Sequence, residues 1–242
     1  MSSMTRTPPI RSVKELHEHL HAAVQLELAV IPPYLCALYT LRPGSNEEAS
    51  LIIRSVVVEE MLHMVLASNV LNAVGGTPRF ANEADAPRYP AFLPDGETKF
   101  RVHLERFSQR ALDTFLKIEE PSLPHTPESE AGAEAESRTR GTPREPARLK
   151  VNQWHYDTVG EFYAAIIEGL EWLTANEGEK ELFSGDPARQ VTSEYYYAGG
   201  GAPVVVHDLA TARAALQEIV EQGEGEVNSI FDDNGDLAHF FR

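Results

Sequence analysis

A single cysteine, Cys36, in a chain of 242 residues excludes an intrachain disulfide and points to a reducing compartment. Its neighbours Leu35, Ala37 and Leu38 mark it as a buried, inert thiol. Basic side chains are scarce: 21 Lys and Arg against 37 Asp and Glu leave a net charge of −16, which argues against nucleic acid or an anionic membrane as partner. No uninterrupted apolar run reaches the length of a membrane span. The greasiest stretch, Leu26 to Tyr39, is broken by Glu27, Pro32 and Pro33. The start, MSSMTRTPPIR, has no apolar segment of the secretory type. These absences lead us to expect a soluble, cytoplasmic protein. Apolar side chains are also nearly missing from residues 121–146, where Glu, Ala, Ser, Pro, Thr and Arg dominate. Such a segment cannot offset its ordering entropy, so a disordered acidic insert is expected there. Much of the chain's acidity sits in it, so acidity alone says nothing of metal. Outside it, the hydrophobic content (42% overall) suffices for one core, and residues 1–242 read as a single domain.

What is present is organised around VVVEEMLHMVLASNVLN, residues 56–72. At helical period Ile53, Val56, Val57, Met64, Ala67, Val70 and Leu71 share one side, and Glu60 and His63 lie in its middle. An unpaired carboxylate on so apolar a face costs several kcal/mol, so it needs a counter-charge. Glu and His at i and i+3 project to one point inside a bundle, the half-site geometry of carboxylate-bridged di-metal proteins. The competing explanation is a Glu60–Arg ion pair, with Arg54 as a candidate, beside a hydrogen-bonded core histidine.

In chain order, Ser12 and Glu15 have capping-box spacing at the start of a first long helix ending near Thr40. Its inner stripe (Leu16, Leu20, Ala23, Glu27, Val30, Ile31, Tyr34) buries a second carboxylate, Glu27. His17, His19 and His21 read as surface or end-of-bundle residues. Pro32 and Pro33 remove amide donors and predict a kink one turn from Glu27, either opening a pocket or wrapping the core. A second long helix runs from about Glu47 to Val74 and stops at Gly75-Gly76. Residues 79–94 read as an extended crossover, 100–102 as strand-like and 104–119 as an amphipathic helix. A third long helix starts at Thr158 and reaches about Ala175; a fourth is capped by Asp208 and loosens at Glu221. The tail, 237–242, is apolar enough to dock back and bring His239 inside. The whole is an all-α, four-helix bundle with long crossover connections.

Groups in a bundle meet only at equal height. Counted from the helix ends, Glu27 and Glu60 lie level at about 1.5 Å per residue, and Glu161 and Glu221 fall in the same layer if the two helix pairs align. Glu161 is either a ligand or, with Thr158, half of a capping box. Glu168, two turns away, ranks below it. Glu224 and His239 are further candidates beside Glu221. The candidate metal ligands are therefore Glu27, Glu60, His63, Glu161, Glu221, Glu224 and His239. Carboxylates with imidazole and no sulfur suit iron, with manganese as the alternative, better than zinc.

Six ordered blocks then carry a family resemblance: QLELAVIPPYLCALYTL (25–41), VVEEMLHMVLASNVLNAVGGTPR (57–79), YPAFLP (89–94), TVGEFYAAI (158–166), LFSGDPARQV (182–191), and IVEQGEG with LAHFFR near the end. Together they resemble the ferritin-like domain of the iminophenyl-pyruvate dimer synthase family. That domain is also found inside the larger enzymes that couple oxidised tryptophan units in violacein- and rebeccamycin-type pathways. The resemblance implies a ferritin-like four-helix fold and a metal site at Glu27, Glu60 and His63. Two departures stand out. The haem-associated region of the larger enzymes does not fit in this length, and a second E-x-x-H is replaced by Glu221-x-x-Glu224. The leading expectation is a non-haem di-iron or mono-metal oxidase of secondary metabolism, acting on a small aromatic or amino-acid-derived substrate as a homo-oligomer or with a partner enzyme. Iron oxidation and storage, or a metal-free structural or partner subunit, are the alternatives.

Overall fold

A computed structural model describes residues 9–80, 85–93, 100–119, 156, 159–196 and 203–223. The expected acidic insert at 121–146 and the C-terminal tail lie outside the described residues. Six α-helices occur among those described: α1 (Val13–Tyr39), α2 (Glu47–Ala73), α3 (Gln109–Ile118), α4 (Val159–Glu177), α5 (Glu179–Leu182) and α6 (Leu209–Gly223). The only bridge pairing among them is Ala91 with Val102, antiparallel, where a strand-like segment was expected.

The helix ends follow local chemistry. Ser12 caps α1 by accepting the Glu15 amide, while the Glu15 carboxylate accepts from the Arg11 amide and the Ser12 hydroxyl, both at 2.9 Å. Asp208 caps α6 by accepting the Thr211 amide at 2.8 Å. Gly75, at φ +79°, ends α2 in a Schellman arrangement: Gly76 N–H donates to Leu71 O and Gly75 N–H to Asn72 O. The amphipathic helix starts later than its sequence pattern suggests, because Ser108 caps it through the Ala111 amide.

α1 stays helical through Pro32 and Pro33. A proline at position 33 leaves the carbonyl of Ala29 without its helical donor. The Tyr89 hydroxyl donates to that carbonyl at 2.6 Å, so the crossover repairs the defect. By length and composition alone α1 could cross a membrane, but 61% of its most apolar stretch is buried inside the protein, as in a core helix.

Four long helices close a ring: α1 packs on α2, α2 on α6, α6 on α4 and α4 on α1. The long connection before α6 is strapped to α2. Asn69 donates to the carbonyls of Val191 and Val204 and accepts the Val191 amide, and Asn72 donates to Arg189 O. Gly185 donates to Ala73 O, an approach so close that a Cβ there would sit 1.8 Å from the Asn72 carbonyl oxygen.

Candidate metal centre

The layer predicted from helix counting exists, with a different membership. Glu27 on α1 and Glu60 and His63 on α2 are all buried, and one ligand atom from each lies within 4.8 Å of the others. His63 Nδ1 stands 3.7 Å from Glu27 Oε2 and 3.7 Å from Glu60 Oε2. Among the described residues, the group paired with both carboxylates is His63, and Arg54, the guanidinium expected to compete, is exposed.

The orientation of His63 follows from the surface inward. The Gln222 side-chain amide donates to Glu218 Oε1 at 2.6 Å, and a carboxylate only accepts. Gln222 Oε1 therefore faces inward, 2.8 Å from His63 Nε2. Nε2 must carry a hydrogen, which leaves Nδ1 turned toward the two carboxylates. Tyr163 on α4 completes the contacts by donating its hydroxyl to Glu27 Oε1.

Charge in the cluster is shared unequally. Burial pushes Glu60 well above the ordinary carboxylate range; the hydrogen bond with His63 opposes this, and the neighbouring Glu27 charge adds to it. Burial opposes ionisation of Glu27 too, but His63 and hydrogen bonds from Glu60 and Tyr163 hold it below its usual value. Burial disfavours imidazolium at His63, yet the two adjoining carboxylates outweigh it and raise His63 well above its usual value. Without a cation, then, Glu60 and His63 both hold a proton more tightly than usual. Two carboxylates and a neutral imidazole carry a charge of −2, which one divalent ion matches as well as two protons do. The donor set therefore fits such a metal.

Other acids gather nearby. Glu119, just past α3, accepts the Tyr34 hydroxyl; burial and the Glu27 charge raise it. Burial, aided by Glu119, lifts Glu59 to about 7.

Two expected ligands are elsewhere. Glu161 and Glu221 are both exposed, and Glu168 is exposed as well. Both expected ligands sit on the outward faces of their helices. The buried stripe of α4 is Phe162, Tyr163, Ile166, Leu170 and Leu173; residue 161 is turned about 200° from 163. On α6 the buried Ala212, Ala215, Leu216 and Ile219 continue at i+3 to Gln222, not Glu221. The same periodicity, applied to these two helices, singles out Tyr163 and Gln222, and Glu119 continues the Ala111–Phe115 stripe. Glu224 and His239 lie outside the described residues. His19, expected near the surface or the bundle end, is 1% exposed; its Nδ1 donates to the Glu15 carbonyl and its Nε2 accepts from the Tyr156 hydroxyl, which makes burial tolerable.

A family model described as ferritin-like matches residues 20–242. Dichlorochromopyrrolate synthase of Lentzea aerocolonigenes is 25% identical over 268 aligned residues, which span 96% of this chain. The chain in turn spans 24% of that relative's length. No solved structure matches.

Proposed function

From a chain that belongs to the ferritin-like family, we propose a non-haem metalloenzyme in which Glu27, Glu60 and His63 Nδ1 hold a divalent ion, iron in the first instance and manganese as the alternative. The observation that carries this is the convergence of three buried ligand atoms, from two helices, within 4.8 Å. Bound there, the metal would supply one-electron redox chemistry and activation of dioxygen or peroxide.

The chain's own residues set the conditions for that chemistry. Tyr163 fixes one oxygen of Glu27 and leaves the other, Oε2, facing His63. Gln222 pins the imidazole so that only Nδ1 faces the cluster. Glu27, Glu60 and His63 are themselves buried, away from bulk water, which strengthens each charge interaction among them. Glu60, raised by burial, gives up its proton more readily to a cation than to solvent. Three protein donors leave coordination positions for an incoming ligand. The likeness to dichlorochromopyrrolate synthase supports a place in secondary metabolism, with a small aromatic or amino-acid-derived substrate and an oxidative reaction on it.

Anaerobic Fe(II) titration with metal analysis tests the reading. Stoichiometric uptake by the wild type and its loss in Glu60→Ala are expected; no uptake, or equal uptake by the variant, overturns it. A second reading has one observation behind it: with protons on Glu60 and His63 the cluster neutralises itself, as a metal-free structural or partner subunit would require. Melting that is indifferent to added metal would favour that reading.

A further inference from the structure

A file of rings leads away from the cluster. Tyr163 is fully buried and its hydroxyl sits on Glu27. Its ring meets Phe162 edge to face at 5.4 Å, and Phe162 meets Tyr156 in the same manner at 5.3 Å. Tyr156 is half-buried, and its oxygen lies 3.0 Å from His19 Nε2. His19 Nδ1 lies 2.8 Å from the Glu15 carbonyl oxygen. A carbonyl cannot donate, so Nδ1 carries the hydrogen and Nε2 holds a lone pair. The phenol of Tyr156 therefore donates to an imidazole able to take its proton. Each of the two tyrosines thus has its hydroxyl on a base, and one aromatic ring in contact with both joins them. A core needing only apolar volume would be served by phenylalanine at both positions.

We propose that Tyr163 and Tyr156 form a two-step path by which an oxidising equivalent leaves the metal centre. The relay rests on the metal reading above. The oxidant is hydrogen peroxide, reduced to two waters with one electron from ferrous iron, which becomes ferric, one electron from Tyr163, and two protons from solvent. The phenolic O–H bond of Tyr163 breaks, its electron goes toward the metal and its proton to Glu27. Tyr163 is then restored by an electron from Tyr156 and by the proton returned from Glu27. The Tyr156 proton crosses to His19 Nε2, and an external thiol or ascorbate-type reductant supplies the electron and proton that regenerate Tyr156 and release the proton held on His19. The path keeps a stray oxidising equivalent from attacking the ligands when no substrate is present.

The test is freeze-quench electron paramagnetic resonance of iron-loaded protein mixed with hydrogen peroxide, with bound iron and consumed peroxide measured in each sample. The wild type is expected to give a transient tyrosyl signal. Tyr156→Phe should keep the signal and prolong it, because the hole stops at Tyr163. Tyr163→Phe should lose it while still binding iron and consuming peroxide, and peptide mass mapping should then find more oxidation of Met61, Met64 and His63. Iron bound and peroxide consumed without a tyrosyl signal would overturn the relay and leave the metal reading intact. So would a signal that survives Tyr163→Phe, as oxidation of exposed Tyr39 or Tyr195 would produce. Absence of iron uptake would remove the metal reading, and the relay with it.

Discussion

Replacing Gln222 by leucine removes one hydrogen bond from a histidine that is 3% exposed and touches none of the three candidate ligands covalently or by charge. Gln222 is held in turn by Glu218, so its oxygen is fixed before any metal arrives. Without it the imidazole is free to rotate or to change tautomer, and Nδ1 no longer faces Glu27 and Glu60 by default. Loss of such an outer partner lowers metal affinity by about 10–100-fold, or about 1.4–2.7 kcal/mol. Leaving the Nε2 hydrogen unpaired also costs the metal-free fold about 1–3 kcal/mol, so affinity must be measured on folded protein. Competition against a chromophoric chelator under anaerobic conditions, with Fe(II) and Mn(II), does this, while denaturant melts report stability separately. Gln222→Glu preserves an acceptor for Nε2 and should keep the affinity that Gln222→Leu loses. Equal affinity in the wild type and Gln222→Leu would refute the claim that α6 orients the ligand histidine.

The pH dependence of the metal-free protein follows from the raised groups. Glu60, His63 and Glu59 bind protons more tightly folded than unfolded, so their contribution is full below the unfolded values and is lost as pH rises through the folded ones. Glu27, held low, contributes above the ordinary carboxylate value and loses its contribution only on stronger acidification. Melting temperature without metal should therefore fall between about pH 5 and 8, while metal affinity rises over the same range; a flat profile in calorimetry would contradict this. Glu60→Gln, which imitates the protonated acid, should melt no lower than the wild type without metal and lose the metal-induced rise in a thermal shift assay. Tyr89→Phe should cost about 1 kcal/mol in urea unfolding by leaving the Ala29 carbonyl unpaired. Gly185→Ala should cost about 1–3 kcal/mol or more, because the new methyl meets the backbone of α2; unchanged unfolding would show that the strap yields.

Sequence periodicity alone determined the four long helices, their caps at Ser12 and Asp208, the stop at Gly75, and the inward placement of Glu27, Glu60 and His63. Each of these depends on neighbours within one or two turns, and an acid or imidazole among apolar residues at helical spacing has nowhere else to point. The resemblance read from the ordered blocks reached the ferritin-like family for the same reason, since the described parts of several of those blocks carry buried stripes and the strap. Only the tertiary structure decided which side chains α4 and α6 deliver to the layer. Counting residues sets a height along a helix, but rotation about its axis is set by the neighbours it packs on, and there Tyr163 and Gln222 face inward while Glu161 and Glu221 face water. The pairing of Tyr89 with the Pro33 gap, of Tyr34 with Glu119, and of Tyr156 with His19 likewise joins residues at least 60 positions apart. Contacts between such distant positions arise from packing and leave no local periodic signature in the chain.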